Sequence, residues 1–236
     1  MPYMIPNDWV TAAFAGDPIT SAGQTHQFSV HRIGHVELPT GRLAASDPFV
    51  EPAPLPFDVR VAPGRYAVDL AVSEIGNDQR VAFARVTFQD APVHRWTMAL
   101  VGEQDPTTLG ATEIFGYGVD AGTGCFMSPE AGELLDQRMG VEEKYFEQII
   151  AGMETTYRDT WSWLVFQPEP ARNPNVVAFS SGLGDGIYAS YVGWDAAGDP
   201  VCLVTDFGVI GEDPEPATRP SATGENAGRP WWKFWA

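Results

Sequence analysis

The chain has 236 residues, with 14 Lys+Arg against 31 Asp+Glu and a formal net charge of -17. Such a surface repels a phosphate backbone, and no Lys/Arg cluster offsets it, so nucleic acids and anionic membrane surfaces are excluded as natural partners. Hydrophobic residues make up 44%, enough for a substantial core, while Gly 24 and Pro 20 suit many short strands joined by turns.

Residues 1–25 read as a loosely structured lead-in, interrupted by Pro6, Asp8 and Asp17. No stretch approaches the roughly 20 apolar residues of a membrane span, so no membrane span is expected and the expected location is the cytoplasm. Strand signals follow at residues 27–32, 42–46 and 57–61. Pro63-Gly64 is a turn dipeptide. After it Tyr66, Val68, Leu70 and Val72 alternate with Arg65, Ala67, Asp69 and Ala71, a period of two with one apolar face. Gly76-Asn77-Asp78 turns the chain back into residues 79–89, which predicts a hairpin. Residues 95–101 supply another strand.

The period then changes. Ser128-Pro129-Glu130 is a helix start, with Ser at the N-cap, Pro at the first helical position and an acid in the first turn. Leu134, Leu135 and Met139 share one side, and Gly140 can close the helix. A second helix is expected over 141–157. Its Tyr145, Phe146, Ile149, Ile150 and Met153 recur at three- and four-residue steps, while Glu142, Glu143, Lys144, Glu147 and Glu154 hold the wet face. Both helices read as covers on a sheet. Residues 161–166 and 176–180 are short apolar runs. Residues 187–194 and 201–209 flank Asp195-Ala196-Ala197-Gly198-Asp199, a hairpin signal. A Pro/Gly/Glu-rich stretch, 211–229, reads as a flexible linker before the aromatic tail of residues 230–236.

The expected architecture is α+β: one domain over 26–210, a largely antiparallel β-sheet system covered by the two mid-chain helices, followed by the C-terminal linker and aromatic tail.

Two glycine- and aspartate-rich loops are the strongest pointers to a site. The first holds Gly116, Tyr117, Gly118, Asp120, Gly122, Thr123 and Gly124. The second holds Ser181, Gly182, Gly184, Asp185 and Gly186, with Tyr188 just beyond. Clustered glycines imply unusual backbone angles or close backbone approach. Neither loop has the Lys of a phosphate-binding P-loop, and Gly116-x-Gly118 lacks the rest of a dinucleotide fingerprint. Backbone amides in such loops can cradle an anion. The plainer reading is two structural turns, with Asp120 and Asp185 bonding local amides.

A third acid, Asp206, ends an apolar strand, where a carboxylate is costly unless partnered. If Asp120, Asp185 and Asp206 converge, they can bind a hard cation or divide acid and base work as catalytic residues. Alternatively Asp206 caps a neighbouring loop. No metal-site spacing is present: His31 and His35 lie in a strand-like segment, and no CxxC pair exists. Cys125 and Cys202 read as buried, reduced cysteines, with a disulfide between them left open by the spacing. The tail residues Trp231, Trp232, Phe234 and Trp235 look like a docking peptide for a protein partner.

The loop motifs carry a resemblance. Residues 41–48 (Gly-Arg-Leu-Ala-Ala-Ser-Asp-Pro), 63–68, 115–126, 181–188 and 203–207 resemble the family known as domain of unknown function 4241, uncharacterised and mainly bacterial. The likeness spans roughly 30–210 and implies one intact domain. It implies no activity and no cofactor. Three functions remain open at this point: an immunity or adaptor protein of a bacterial conflict or regulatory system, an Asp-dependent hydrolase assisted by a metal, and a small-molecule or nucleotide sensor. Cofactor and oligomeric state are not legible.

Overall fold

A computed structural model describes residues 2–142, 144–211 and 215–216. The tail anchors Trp231, Trp232, Phe234 and Trp235, nearly all of the 211–229 linker, and Glu143 lie outside the described residues.

The strands are, in chain order, β1 (Ile19–Ser21), β2 (Gln24–Leu38), β3 (Ala44–Ser46), β4 (Gly64–Ile75), β5 (Asp78–Thr87), β6 (Arg95–Met98), β7 (Glu113–Ile114) and β8 (Tyr117–Val119). They continue with β9 (Thr123–Met127), β10 (Trp163–Phe166), β11 (Val176–Ser180), β12 (Gly186–Tyr188), β13 (Ser190–Trp194), β14 (Pro200–Asp206) and β15 (Glu215–Pro216). Among the described residues three α-helices accompany them: α1 (Asn7–Ala15), α2 (Pro129–Val141) and α3 (Tyr145–Glu154).

A seven-stranded sheet has the order β1-β2-β4-β5-β14-β13-β6, and a four-stranded sheet the order β10-β11-β9-β3. Every pair in both is antiparallel. The period-two pattern decides which side chains lie between them. Val68, Leu70 and Val72 of β4 join Phe126 of β9 and Val177 and Phe179 of β11 in one buried cluster. The alternate residues Cys125, Met127, Val176 and Ala178 point the other way and pack with α2 and α3. On the far side of the large sheet, Ala71, Phe83, Cys202 and Val204 pack with α1. The result is helix, sheet, sheet, helix pair, a mixed α+β fold with its main core between the sheets.

Helix α2 starts where the sequence places it but runs through Gly140 to Val141, and α3 begins at Tyr145 rather than at the expected residue 141. The Ser128 hydroxyl accepts from the Ala131 amide at 3.2 Å, with Pro129 at the first position. Tyr145, Ile149 and Met153, spaced by four, form the buried stripe of α3.

The lead-in is a correction. It carries a helix and an edge strand of the large sheet. Val10 and Ala13 are buried, and Gly16 closes the helix in a left-handed conformation with its amide on the carbonyls of Ala12 and Ala13. The 187–194 run divides as well: β12 leaves the large sheet and only β13 stays in it. Among the described residues no helix is long and apolar enough to cross a membrane.

Candidate ligand-binding site

The two glycine loops meet. β8 and β12 form an antiparallel ribbon that pairs Gly186 with Val119, Ile187 with Gly118 and Tyr188 with Tyr117. The Ser181 amide donates to the Gly122 carbonyl at 3.1 Å, and the Gly122 amide donates to Asp185 Oδ1 at 3.1 Å. Within the second loop, the Gly184 carbonyl accepts from the Ser181 hydroxyl and from the Tyr188 phenol, both at 2.9 Å.

Two of the glycines have a steric reason. Gly182 sits at φ 47°, and a Cβ there would lie 2.7 Å from Phe207 Cβ. A Cβ on Gly116 would lie 2.6 Å from the Tyr188 carbonyl oxygen, so only glycine lets the two strands approach there.

The anchor of the first loop is a residue that sequence reasoning passed over. Asp47 is buried, at 0% exposure. Its Oδ1 accepts from the Phe49 amide at 2.9 Å, and its Oδ2 accepts from the amides of Asp120 and Ala121 at 3.0 and 2.7 Å. Burial pushes the Asp47 carboxyl above its ordinary range. The amides of Phe49, Asp120 and Ala121 oppose that shift, and the Asp120 charge adds to it. The amides of Asp120, Ala121 and Gly122 are thus all engaged by carboxylates. The available signal was Asp47 followed by Pro48 at the end of a buried strand, the setting of a side chain that bonds the backbone two residues on.

The three aspartates separate into two groups. Asp120 is exposed at the loop tip, outside the cavity wall. Asp185 and Asp206 line one cavity of about 200 Å³ beneath the ribbon. Asp206 is 8% exposed, and its Oδ1 accepts from the Gly208 amide at 3.0 Å, so it does cap the next loop. Tyr188 and Tyr191 add aromatic surface, and the exposed Leu183 and Ile187 give the rim an apolar character. No Lys, Arg or His lines the cavity among the described residues.

Tyr191 is the unexpected member. It sits in β13, where it reads as one more apolar strand residue. Its side chain is fully buried, and its hydroxyl has no hydrogen-bond partner among the described residues. Burial, then the charges of Asp206 and Tyr3, push its phenol far above the ordinary range, so it stays a neutral hydroxyl whose oxygen can accept a hydrogen bond.

The other expected site residues have structural places. Gly124 and Thr123 are buried in β9, where the Thr123 hydroxyl donates to the Ala121 carbonyl at 3.2 Å. Tyr117 lies in the ribbon and reaches the position that a Cβ on Gly124 would crowd, 3.0 Å from its hydroxyl. Among the described residues no three of His, Cys, Asp and Glu come together to hold a metal ion. Cys125 and Cys202 are both free, on opposite sides of the main core, and burial pushes each thiol up to about 12.

A family model described as Protein of unknown function (DUF4241) matches residues 36–205. No curated protein and no solved structure matches the chain.

Proposed function

The chain belongs to the DUF4241 family of proteins of unknown function, and from that premise we propose that it is a binding protein for a small, cationic hydrogen-bond donor. The site is the cavity under the glycine ribbon. The observation that carries this reading is the buried Tyr191 hydroxyl, which has no hydrogen-bond partner among the described residues and belongs to a residue lining a cavity whose charged lining among those residues is Asp185 and Asp206.

The physical argument has three steps. A buried hydroxyl with no partner costs about 1–3 kcal/mol, so a fold that keeps one keeps it at a loss unless something else meets it. Carboxylates that line one cavity favour a cation beside them. Aromatic faces such as Tyr188 and Tyr191 add attraction for an amine or guanidinium. Size sets the ligand class. At about 200 Å³, the cavity holds roughly seven waters at ~30 Å³ each, below the usual range for drug-sized ligands. A small amine or guanidine suits it.

The experiment is a thermal-shift series on the full chain with small monoamines and guanidines, beside neutral alcohols and carboxylates of the same size. Cations near 100 times their Kd should stabilise by about 2.7 kcal/mol, a Tm rise of roughly 5–10 °C for a chain of this length. The neutral and anionic compounds should give none. Absence of any shift across the cations sinks the reading. A shift that survives in the D185N/D206N double variant places the binding elsewhere.

A further inference from the structure

Strand β2 has an open edge over part of its length. β1 covers only its first residues, pairing Ser21 with Gln24, Thr20 with Thr25 and Ile19 with His26. The turn between the two strands is Ala22-Gly23, at φ 50° and 80°. Such a turn closes on a pair that exchanges backbone bonds, so Gln24, His26, Phe28, Val30 and Arg32 turn their amides and carbonyls toward the β1 side. The end of α1 stands at Phe28, where a Cβ on Gly16 would lie 3.8 Å from the Phe28 carbonyl oxygen. A bulge between Arg32 and Gly34 then shifts the alternation. Beyond it the Asn175 side chain caps the edge, donating to the His35 carbonyl at 2.7 Å and accepting from the Glu37 amide at 2.8 Å. Between these two closures the outward backbone groups of Val30 and Arg32 meet no strand and no side chain among the described residues.

We propose that this window binds an extended peptide by strand addition, antiparallel to β2, with an acidic residue beside Arg32 and an aliphatic one beside Val30. It shares no residue with the cavity under the glycine ribbon. The backbone sets the mode, because an open edge presents a donor and an acceptor at every second residue and so templates another strand.

Charge sets the partner. Arg32 Nε lies 2.9 Å from Asp69 Oδ1, and Arg85 Nη2 lies 3.2 Å from Asp69 Oδ2. Among the described residues no other carboxylate is ion-paired with either arginine, so two guanidiniums share one carboxylate and leave an excess of positive charge. Asp69 is buried, while the Arg32 side chain is 60% exposed beside the open edge. A carboxylate directly across from Arg32 projects onto the same face and meets that excess. Val30, 39% exposed on this face, offers an apolar neighbour two residues away. Run antiparallel, the motif reads acid-x-aliphatic, with x beside His31 on the other face. A second copy of this chain would bring the same excess positive charge to the edge, which disfavours self-pairing there.

The test is an amide chemical-shift titration of the full, isotope-labelled chain with the capped peptide acetyl-Thr-Glu-Thr-Val-Thr-amide. The Val30 and Arg32 amides should shift and gain protection from hydrogen exchange. Lys in place of the peptide's Glu should weaken binding about fivefold. Methylating the peptide's Glu and Val amide nitrogens, which face β2, should abolish it. V30P removes a donor on the open side, where an edge strand tolerates proline, and should keep the fold and lose the peptide. R32Q leaves the backbone intact and should bind the Glu and Lys peptides equally. Unmoved Val30 and Arg32 amides, or a methylated peptide that binds as well as its parent, overturn the strand addition. Equal binding of the Glu and Lys peptides to wild type overturns the acidic partner. Shifts of the same two amides on raising the protein concentration without peptide assign the edge to a second copy and overturn the proposal.

Discussion

The Asp185 carboxylate accepts a hydrogen bond from the Gly122 amide at 3.1 Å, across 63 residues of sequence. That contact, the Ser181 amide on the Gly122 carbonyl, and the β8–β12 ribbon bind two loops into one unit. Among the described residues Asp120 makes no such bond through its side chain. It contributes its backbone amide to Asp47 and leaves its side chain exposed.

D185A should therefore lower stability by about 1 kcal/mol, the usual net worth of a hydrogen bond at a partly solvated site. D120A should change it by less than about 0.5 kcal/mol. Urea denaturation of the two variants decides the matter. Equal effects would show that Asp185 does not tie the loops.

Asp47 should matter more than either. D47A strips an acceptor from three part-buried amides and should cost about 3 kcal/mol, roughly 1 kcal/mol for each lost bond. Its pH signature has a definite sign. Because burial raises the Asp47 pKa in the folded state, the fold holds that proton more tightly than the unfolded chain does. The resulting stabilisation is full below the ordinary Asp pKa and fades as pH rises through the raised value. D47N has no such titration, so the stability of wild type relative to D47N should decline across that window. Denaturant midpoints taken at a series of pH values measure the difference.

At Gly182 the backbone decides. An Ala there must hold φ 47° and place its Cβ 2.7 Å from Phe207 Cβ and 2.8 Å from the Phe207 carbonyl oxygen. Strain of ~1–3 kcal/mol for the conformation, with the clash added, gives an expected loss of about 3 kcal/mol. Thermal or chemical melts of G182A check it. Near-wild-type stability would mean that the loop relaxes freely.

Y191F separates binding from stability. Removing a buried hydroxyl that has no partner among the described residues should leave the protein as stable or about 1 kcal/mol more so. The same change should weaken binding of a small amine about tenfold, the loss of one hydrogen bond of ~1.4 kcal/mol. Calorimetry reads both quantities. A marked drop in Tm would instead assign the hydroxyl a structural bond.

Much of the fold was legible because period reports burial. The β4–β5 hairpin shows it: Val68, Leu70 and Val72 alternate cleanly, and the structure pairs Ile75 with Asp78 around the turn. Helix α2 was legible from Ser128 and Pro129, a chemical signal that works locally. Helix α1 was not. Its stripe is short, Pro6 stands at its start without a side-chain cap, and tertiary packing under the large sheet supplies what local signals lack.

The site was legible in part, for a related reason. Clustered glycines mark unusual backbone, so both loops stood out. Which carboxylates share a cavity depends on pairing between residues far apart in sequence. Asp185 and Asp206 line one cavity although one precedes β12 and the other ends β14, strands of different sheets, and no spacing rule reports that. Tyr191 was invisible because a tyrosine in an apolar strand looks the same whether or not its hydroxyl finds a partner.

One joint in the chain fixes the geometry of everything above the cavity. Ala189 alone separates β12 from β13, and its carbonyl accepts from the Asp206 amide at 3.0 Å. A strand repeats every two residues, so inserting a single residue after Ala189 would turn each β13 side chain to the opposite face. Tyr191 now faces the α1 side of the large sheet and Val192 the core between the sheets. An insertion would exchange them, putting a phenol into the driest part of the protein and a valine at the cavity. The length of this joint is therefore as much a determinant of the site as the identity of any residue in it.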